Sequence, residues 1–242
     1  MSKKVLLMNG SARKKNTWGI LQQLVQILKN HGIEGEILNL FDYRIEDCTG
    51  CESCVSHSGC SIEDDMPVLM QKIMEADGVI LSSPVYMGSV TSKFKTFADR
   101  LSRWIHKPET AGKPVMFVST TMATGLKETR QFFEAFATGF GARKGGFISR
   151  AGKAINTPVK DKELSRFLTL LGEDTASYRP AMGEIVMFAV GKAMASKSSG
   201  DDRRFWEEKE WFNKSYYYPC KMGPGKKLFS KLMFKVISNA MR

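Results

Sequence analysis

Short apolar runs alternate with stretches of helical periodicity along roughly the first 150 residues. Val5–Met8 is a compact apolar run that predicts a buried strand, and Trp18–Leu28 carries the spacing of an amphipathic helix. Glu36–Leu40 predicts a second strand, with Gly32 and Gly35 punctuating the turn before it. Ile62–Ala76 places Met66, Leu69, Met70, Ile73 and Met74 at separations of three and four, the signature of one helical face. Val79–Ser83 reads as a third strand stopped by Pro84, followed by a helix over Ser92–Ile105. A strand at Pro114–Thr120, a helix over Leu126–Thr138 and a strand around Gly146–Ser149 complete the series. Five repeats of strand and helix predict an α/β fold: a doubly wound, five-stranded parallel sheet with helices on both faces. Ligands of such sheets bind beyond the C-terminal strand ends, which directs attention to the loops after strands one, three and four.

Beyond this the pattern changes. Asp161–Thr175 predicts a helix closing the first domain, residues 1–178, and residues 179–242 form a helical C-terminal extension. Ala181–Met194 is a strongly apolar helix, too short to cross a bilayer and suited to a subunit interface. Tyr216–Pro219 reads as an extended aromatic linker. In Lys226–Met241, Leu228, Leu232 and Val236 run beside Phe229, Met233 and Ile237, with lysines flanking. That basic amphipathic helix is expected to pack on the protein's own body or on a sister subunit, with contact to a membrane surface as the alternative.

Charge refines the picture. The net charge is +11, yet the segment from Cys220 onward holds six Lys/Arg and no acid, so over half the excess lies there. That distribution argues against a nucleic-acid-reading body and for an anionic partner or surface for the tail. No run approaches the roughly 18 apolar residues of a membrane span and no signal-peptide pattern opens the chain, so a cytoplasmic location is expected.

Three stretches carry candidate chemistry. Asn9–Thr17 joins the first strand to the first helix with small, hydroxyl, amide and cationic residues. Unpartnered N–H groups and the positive dipole end suit such a junction to a phosphate, held by hydroxyls and one Arg. An ordinary helix cap at Asn16 or Thr17 explains the same residues. Ser83–Gly88 turns the chain out of the sheet and could offer backbone donors, Tyr86 and Met87 to a flat ring, or be a plain turn. Cys48, Cys51, Cys54 and Cys60 could wrap a single 4Fe-4S cubane, hold zinc, or stand as reduced or oxidised thiols. Cys220 is expected to be a packed thiol. His31, His57 and His106 are too scattered to form a site, and no nucleophile, triad or carboxylate pair emerges, so no catalytic residue is assigned.

Gly10-Ser11-Ala12-Arg13 with Asn16-Thr17, then Ser83 to Gly88, then Phe97-Ala98-Asp99-Arg100, resembles the NADPH-dependent FMN reductase branch of flavodoxin-like proteins. The cysteine stretch followed by Asp64-Asp65-Met66 is similar to the iron–sulfur flavoproteins of that family. The resemblance implies that Ser11, Arg13, Asn16 and Thr17 hold an FMN phosphate. It implies that Pro84, Val85, Tyr86, Met87 and Gly88 line the isoalloxazine, and that Thr120, Thr121 and Met122 add a third wall. Two departures stand out. Ala12 replaces the family's usual Pro, and Ser119–Gly125 replaces a glycine-rich run with a bulkier loop.

The function implied is an FMN-dependent oxidoreductase taking electrons from NAD(P)H or a ferredoxin-like partner, with a 4Fe-4S cluster on the four cysteines as an optional relay. The alternative is a flavodoxin-like electron carrier. A homo-oligomer, dimer or tetramer, is the expected assembly.

Overall fold

A computed structural model describes residues 2–56 and 59–241; His57 therefore lies outside the described residues. The strands are β1 (Lys4–Asn9), β2 (Glu34–Asn39), β3 (Gly78–Pro84), β4 (Pro114–Thr121) and β5 (Arg143–Ala151). They pair in parallel in the order β2-β1-β3-β4-β5. This is the flavodoxin-like order, whose switch point falls between β1 and β3.

Strand residues divide between the faces with period two. Leu6, Met8, Val79, Leu81, Val115 and Phe117 point to one core, and Val5, Leu7, Ile80, Met116 and Val118 to the other. Helix α1 (Asn16–Asn30) packs on the second face through Ile20, Leu21, Leu24 and Leu28. Within the cysteine stretch lies the short helix α2 (Ser53–Ser56). Helix α3 (Met66–Glu75) and helix α4 (Ser92–Arg100) cover the first face, followed by α5 (Arg103–His106) and α6 (Leu126–Gly139). Phe94, Phe117 and Phe133 meet there, Phe117 and Phe133 stacked at 4.7 Å. Helix α7 (Ser165–Gly172) returns to the second face with Phe167 and Leu171.

Several boundaries differ from the periodicity. The helix expected from Ile62 starts at Met66, because Asp64 and Asp65 turn their carboxylates onto backbone N–H groups of Glu46 and Arg44. The helix expected over Ser92–Ile105 breaks after Arg100 into α4 and α5. Asp161–Thr175 is a 3₁₀ turn, then α7, then an Asp174-capped 3₁₀ turn. Gly35 lies inside β2 opposite Val5, and β2 ends at Asn39, with Leu40 opening a 3₁₀ turn that the Asn39 side chain caps. β5 is longer than Gly146–Ser149.

The extension is α8 (Met182–Lys197), α9 (Asp201–Glu208) and α10 (Pro224–Ala240). It builds a third core from Ile185, Phe188, Trp206, Trp211, Tyr216, Tyr217 and Met222. Ile185, Phe188, Ala189, Ala193 and Ala195 of α8 are buried within the chain, while Met182 is 45% exposed. Tyr216 and Tyr217 are buried in that core rather than spanning an open linker, and Cys220 is half-buried against it. The Trp206 indole donates to the His106 carbonyl at 2.7 Å, and Lys144 pairs with buried Glu184 at 3.1 Å, tying the extension to the sheet domain. Among the described residues no helix is long and apolar enough to cross a membrane.

Candidate functional site: a cleft at the strand ends

The C-terminal ends of β1, β3 and β4 lie side by side, so the loops they feed share one edge of the sheet. The loop after β1 is held from below. Gly10 donates to the Ser82 carbonyl at 2.8 Å, and its carbonyl accepts from the Thr91 hydroxyl at 2.6 Å. A Cβ at Gly10 would sit 2.7 Å from the Ser82 oxygen and 2.9 Å from the Phe94 ring, so only glycine permits this approach. The fully buried Asn9 amide donates to Ser11 O at 2.7 Å and to Asn39 Oδ1 at 3.1 Å, fixing the direction in which the chain leaves the strand.

From there the loop is open. The Ser11 hydroxyl, though buried, is turned inward to donate to the Arg13 carbonyl at 3.0 Å. Thr17 and Thr120 join hydroxyls at 2.7 Å, stapling the first turn of α1 to β4. Neither Asn16 nor Thr17 caps α1: the cap position is Lys15, with no side-chain hydrogen bond, so the first-turn N–H groups lack a side-chain acceptor. An uncapped helix start with Arg13, Lys14 and Lys15 exposed beside it favours an anion over a plain turn.

Opposite stands the loop after β3. Val85 N–H donates to the Thr120 carbonyl at 2.8 Å, and Tyr86 and Ser89 exchange backbone bonds around Met87 and Gly88. Both central residues have positive φ, 47° and 75°, the pairing of a type I′ turn. Met87 is a non-glycine residue in the left-handed region, and its side chain is wholly exposed. The Tyr86 hydroxyl accepts from Arg13 Nη2 at 3.2 Å, bridging the two loops.

Together these loops enclose a cleft of about 290 Å³, near the lower end for small-molecule sites. Arg13, Asn16, Pro84, Val85, Tyr86, Thr120, Thr121 and Met122 line it, and no carboxylate does. Ser11 and Thr17 are buried and are not among the lining residues, and Met87 and Gly88 lie outside the lining at the turn tip. Ala123 and Ile155 complete the wall. Neither was expected; Ile155 follows β5, and nothing in its local pattern distinguishes it from any other loop aliphatic. The wall depends on Gly125, at φ 92°, where a Cβ would fall 2.6 Å from Val85 Cγ1 and 3.0 Å from Gly88 Cα. Gly125→Ala is therefore expected to cost about 1–3 kcal/mol from left-handed strain and overpacking. An unchanged Tm in calorimetry would refute this packing.

The cysteines gather less completely. Cys48, Cys51 and Cys60 are exposed and Cys54 is half-buried. Among the described residues no three histidine, cysteine or carboxylate side chains come together as a metal site. Four thiols are a donor set that iron–sulfur and zinc sites use. The Ser53 N–H and the Ser61 and Thr49 hydroxyls hold the Cys51 thiol down, toward the thiolate that binds metal, whereas burial, then the nearby Cys60 and Cys48, push the Cys54 thiol up, with Arg103 opposing. Arg100 Nη2 donates to Cys60 Sγ at 3.6 Å. Cys54, Cys60, Arg100 and Arg103 line a cleft of about 370 Å³ with Met66, Met70 and Met74.

Beneath it, Arg100 and Asp64 form an ion pair whose side chains are 2% and 0% exposed. Burial pushes the Asp64 carboxyl up, but the Arg100 guanidinium and the N–H groups of Glu46 and Met66 outweigh it and hold it below the ordinary carboxylate range.

Comparison with known proteins places this arrangement. Iron–sulfur flavoproteins of Archaeoglobus fulgidus and Methanocaldococcus jannaschii are 39% and 38% identical over 97 and 98 residues, about 40% of this chain in each case. The chain spans about half the length of these curated relatives, 48% and 51%. An iron–sulfur flavoprotein of Clostridioides difficile is 28% identical over 171 residues, 67% of this chain and 73% of its own. A crystal structure of RosB with a bound 8-demethyl-8-formylriboflavin-5′-phosphate intermediate superposes with a TM-score of 0.56 at 14% identity, over 92% of each chain, a likeness of fold. Residues 3–146, more than half of the sequence, match the family model for NADPH-dependent FMN reductases, and the chain belongs to that family.

Proposed function

We propose that the protein is an FMN-dependent oxidoreductase that accepts electrons from NAD(P)H or a ferredoxin-like donor. The observation that carries this is the convergence of the Gly10–Thr17 loop, the Pro84–Gly88 turn and the Thr120–Ala123 loop on one cleft with a cationic, uncapped helix start at its end. Arg13 would bind the phosphate with its fork, and the first-turn N–H groups of α1 would complete the anion site. Pro84, Val85 and Tyr86 on one side and Thr120, Thr121 and Met122 on the other would hold the ring. FMN supplies hydride and single-electron chemistry; the chain contributes binding, orientation and electrostatic tuning. No side chain of the cleft is needed as an acid or base.

The test is turnover. Protein loaded with FMN is expected to oxidise NADPH or NADH in the presence of an artificial electron acceptor. Exchange of electrons between protein partners alone, with no nicotinamide oxidation and no turnover of a small-molecule acceptor, would instead support an electron carrier. The exposed Tyr86, Met87 and Met122 beside the cleft would suit docking of such a partner.

For the four cysteines we propose an iron–sulfur cluster, supported by the two guanidiniums facing Cys54 and Cys60 and by the iron–sulfur relatives. Anaerobic purification is expected to give a brown protein carrying iron. A clear yellow, iron-free product would remove the cluster and leave the flavin reading intact.

A further inference from the structure

Helix α10 presents two apolar rows, and only one of them is used. Phe229, Met233 and Ile237 turn inward and are partly covered, with Phe229 joining the third core. Ser230 Oγ donates to the Ser215 carbonyl at 2.9 Å, and the Lys192 ammonium lies 5.0 Å from the Phe234 ring, so the helix is seated firmly on the body. The other row faces outward: Leu228, Leu232 and Val236 are 58%, 53% and 60% exposed. Scattered exposed aliphatics are ordinary. Three in line at four-residue intervals, each preceded by an exposed lysine, are not. Lys227, Lys231 and Lys235 form a parallel row, and none has a carboxylate partner among the described residues. At the N-terminal end of the helix, Arg179, Lys221 and Lys226 border an open groove of about 580 Å³ that no acid lines.

We propose that this face of α10 is a docking surface for an anionic lipid bilayer. The three aliphatic side chains would enter the boundary between headgroups and acyl chains, while the lysine stems run along them and keep their ammonium groups among the lipid phosphates. The helix spans roughly 25 Å at 1.5 Å per residue and is held on its inner side, so it lies along the surface and does not cross.

Charge complementarity selects this occupant. A second copy pairing antiparallel through the same face would set one lysine row beside the other, and with no acid in either row nothing on this face would complement the six ammonium groups. Nucleic acid would answer the lysines but gain nothing from Leu and Val, since its bases stack on aromatic rings. None of these residues lines the flavin cleft, so the inference stands apart from the flavin assignment.

The full-length protein is tested by flotation with vesicles of pure phosphatidylcholine and of phosphatidylcholine with about 30 mol% phosphatidylglycerol. Binding to the anionic vesicles alone is expected, weakening as salt rises from about 0.1 to about 0.5 M. At about fivefold per lysine, the combined Lys227→Gln, Lys231→Gln and Lys235→Gln variant should bind on the order of 100-fold more weakly. A Leu228→Ser, Leu232→Ser and Val236→Ser variant should also lose binding. All six side chains are exposed, so an unchanged Tm is expected to accompany both losses. No binding by the parent protein, equal binding to both vesicle types, or undiminished binding by the glutamine variant would each overturn the proposal. So would tighter binding to duplex DNA than to the vesicles, or a dimer that the serine variant abolishes without any vesicle binding.

Discussion

Arg13→Ala is expected to weaken FMN binding by roughly 10- to 100-fold, the equivalent of about 1.5–3 kcal/mol for losing a charged donor to a phosphate. Its cost to folding should be within about 0.5 kcal/mol, because the side chain is exposed and its hydrogen bond to the Tyr86 hydroxyl, at 3.2 Å, lies at the surface. Titration of apoprotein with FMN, followed by quenching of flavin fluorescence, reads the first quantity, and calorimetry reads the second. Riboflavin, which lacks the phosphate, supplies the control: its affinity should be unaffected by the substitution. Arg13→Lys should fall between the two, keeping the charge and losing the fork. An Arg13→Ala protein that purifies with full flavin occupancy would remove the residue from the site.

The second large effect concerns stability. Arg100→Ala should lower the unfolding free energy by about 3–5 kcal/mol, because it strands the Asp64 carboxylate in the interior. For a chain of this size that corresponds to a fall in Tm of roughly 6–20 °C. The guanidinium also holds Asp64 Oδ1 at 3.1 Å, the Glu46 carbonyl at 2.9 Å and Cys60 Sγ at 3.6 Å, so its loss should free both ends of the cysteine loop. Faster alkylation of Cys60 in the folded variant would report that release. Replacing both partners, as Arg100→Met with Asp64→Leu, should recover much of the stability, since no orphan charge remains.

The pair also predicts a pH dependence. The Asp64 carboxyl is held below its unfolded value of about 3.9, so its contribution is complete above that pH and is lost as pH falls through the lower folded value. Wild-type stability should decline below about pH 4 more steeply than that of the double variant. Parallel acid curves for the two proteins would show that the pair contributes nothing.

Much of this architecture could be read along the chain. The apolar runs, the helical spacing and the order of loops depend on geometry over a few residues, and that geometry is written locally. It suffices for a parallel sheet with its candidate site after β1, β3 and β4, and for nominating Arg13, Asn16, Pro84, Val85, Tyr86, Thr120, Thr121 and Met122, which now line one cleft. Other decisions required distant segments to meet. Nothing near Thr17 in sequence announces that its hydroxyl meets that of Thr120, 103 positions away. Asp64 and Arg100 are two ordinary charges until the fold buries them together. Tyr216 and Tyr217 look like linker until α8 and α9 supply a core to fill. In α10 two adjacent rows are both apolar, so periodicity identifies a helix without saying which row faces inward. The packing of α10 against α8 chose Phe229, Met233 and Ile237, leaving Leu228, Leu232 and Val236 in solvent with their lysines. Short-range spacing is a property of the chain, whereas burial and partnership belong to surfaces that exist only once the chain has closed on itself.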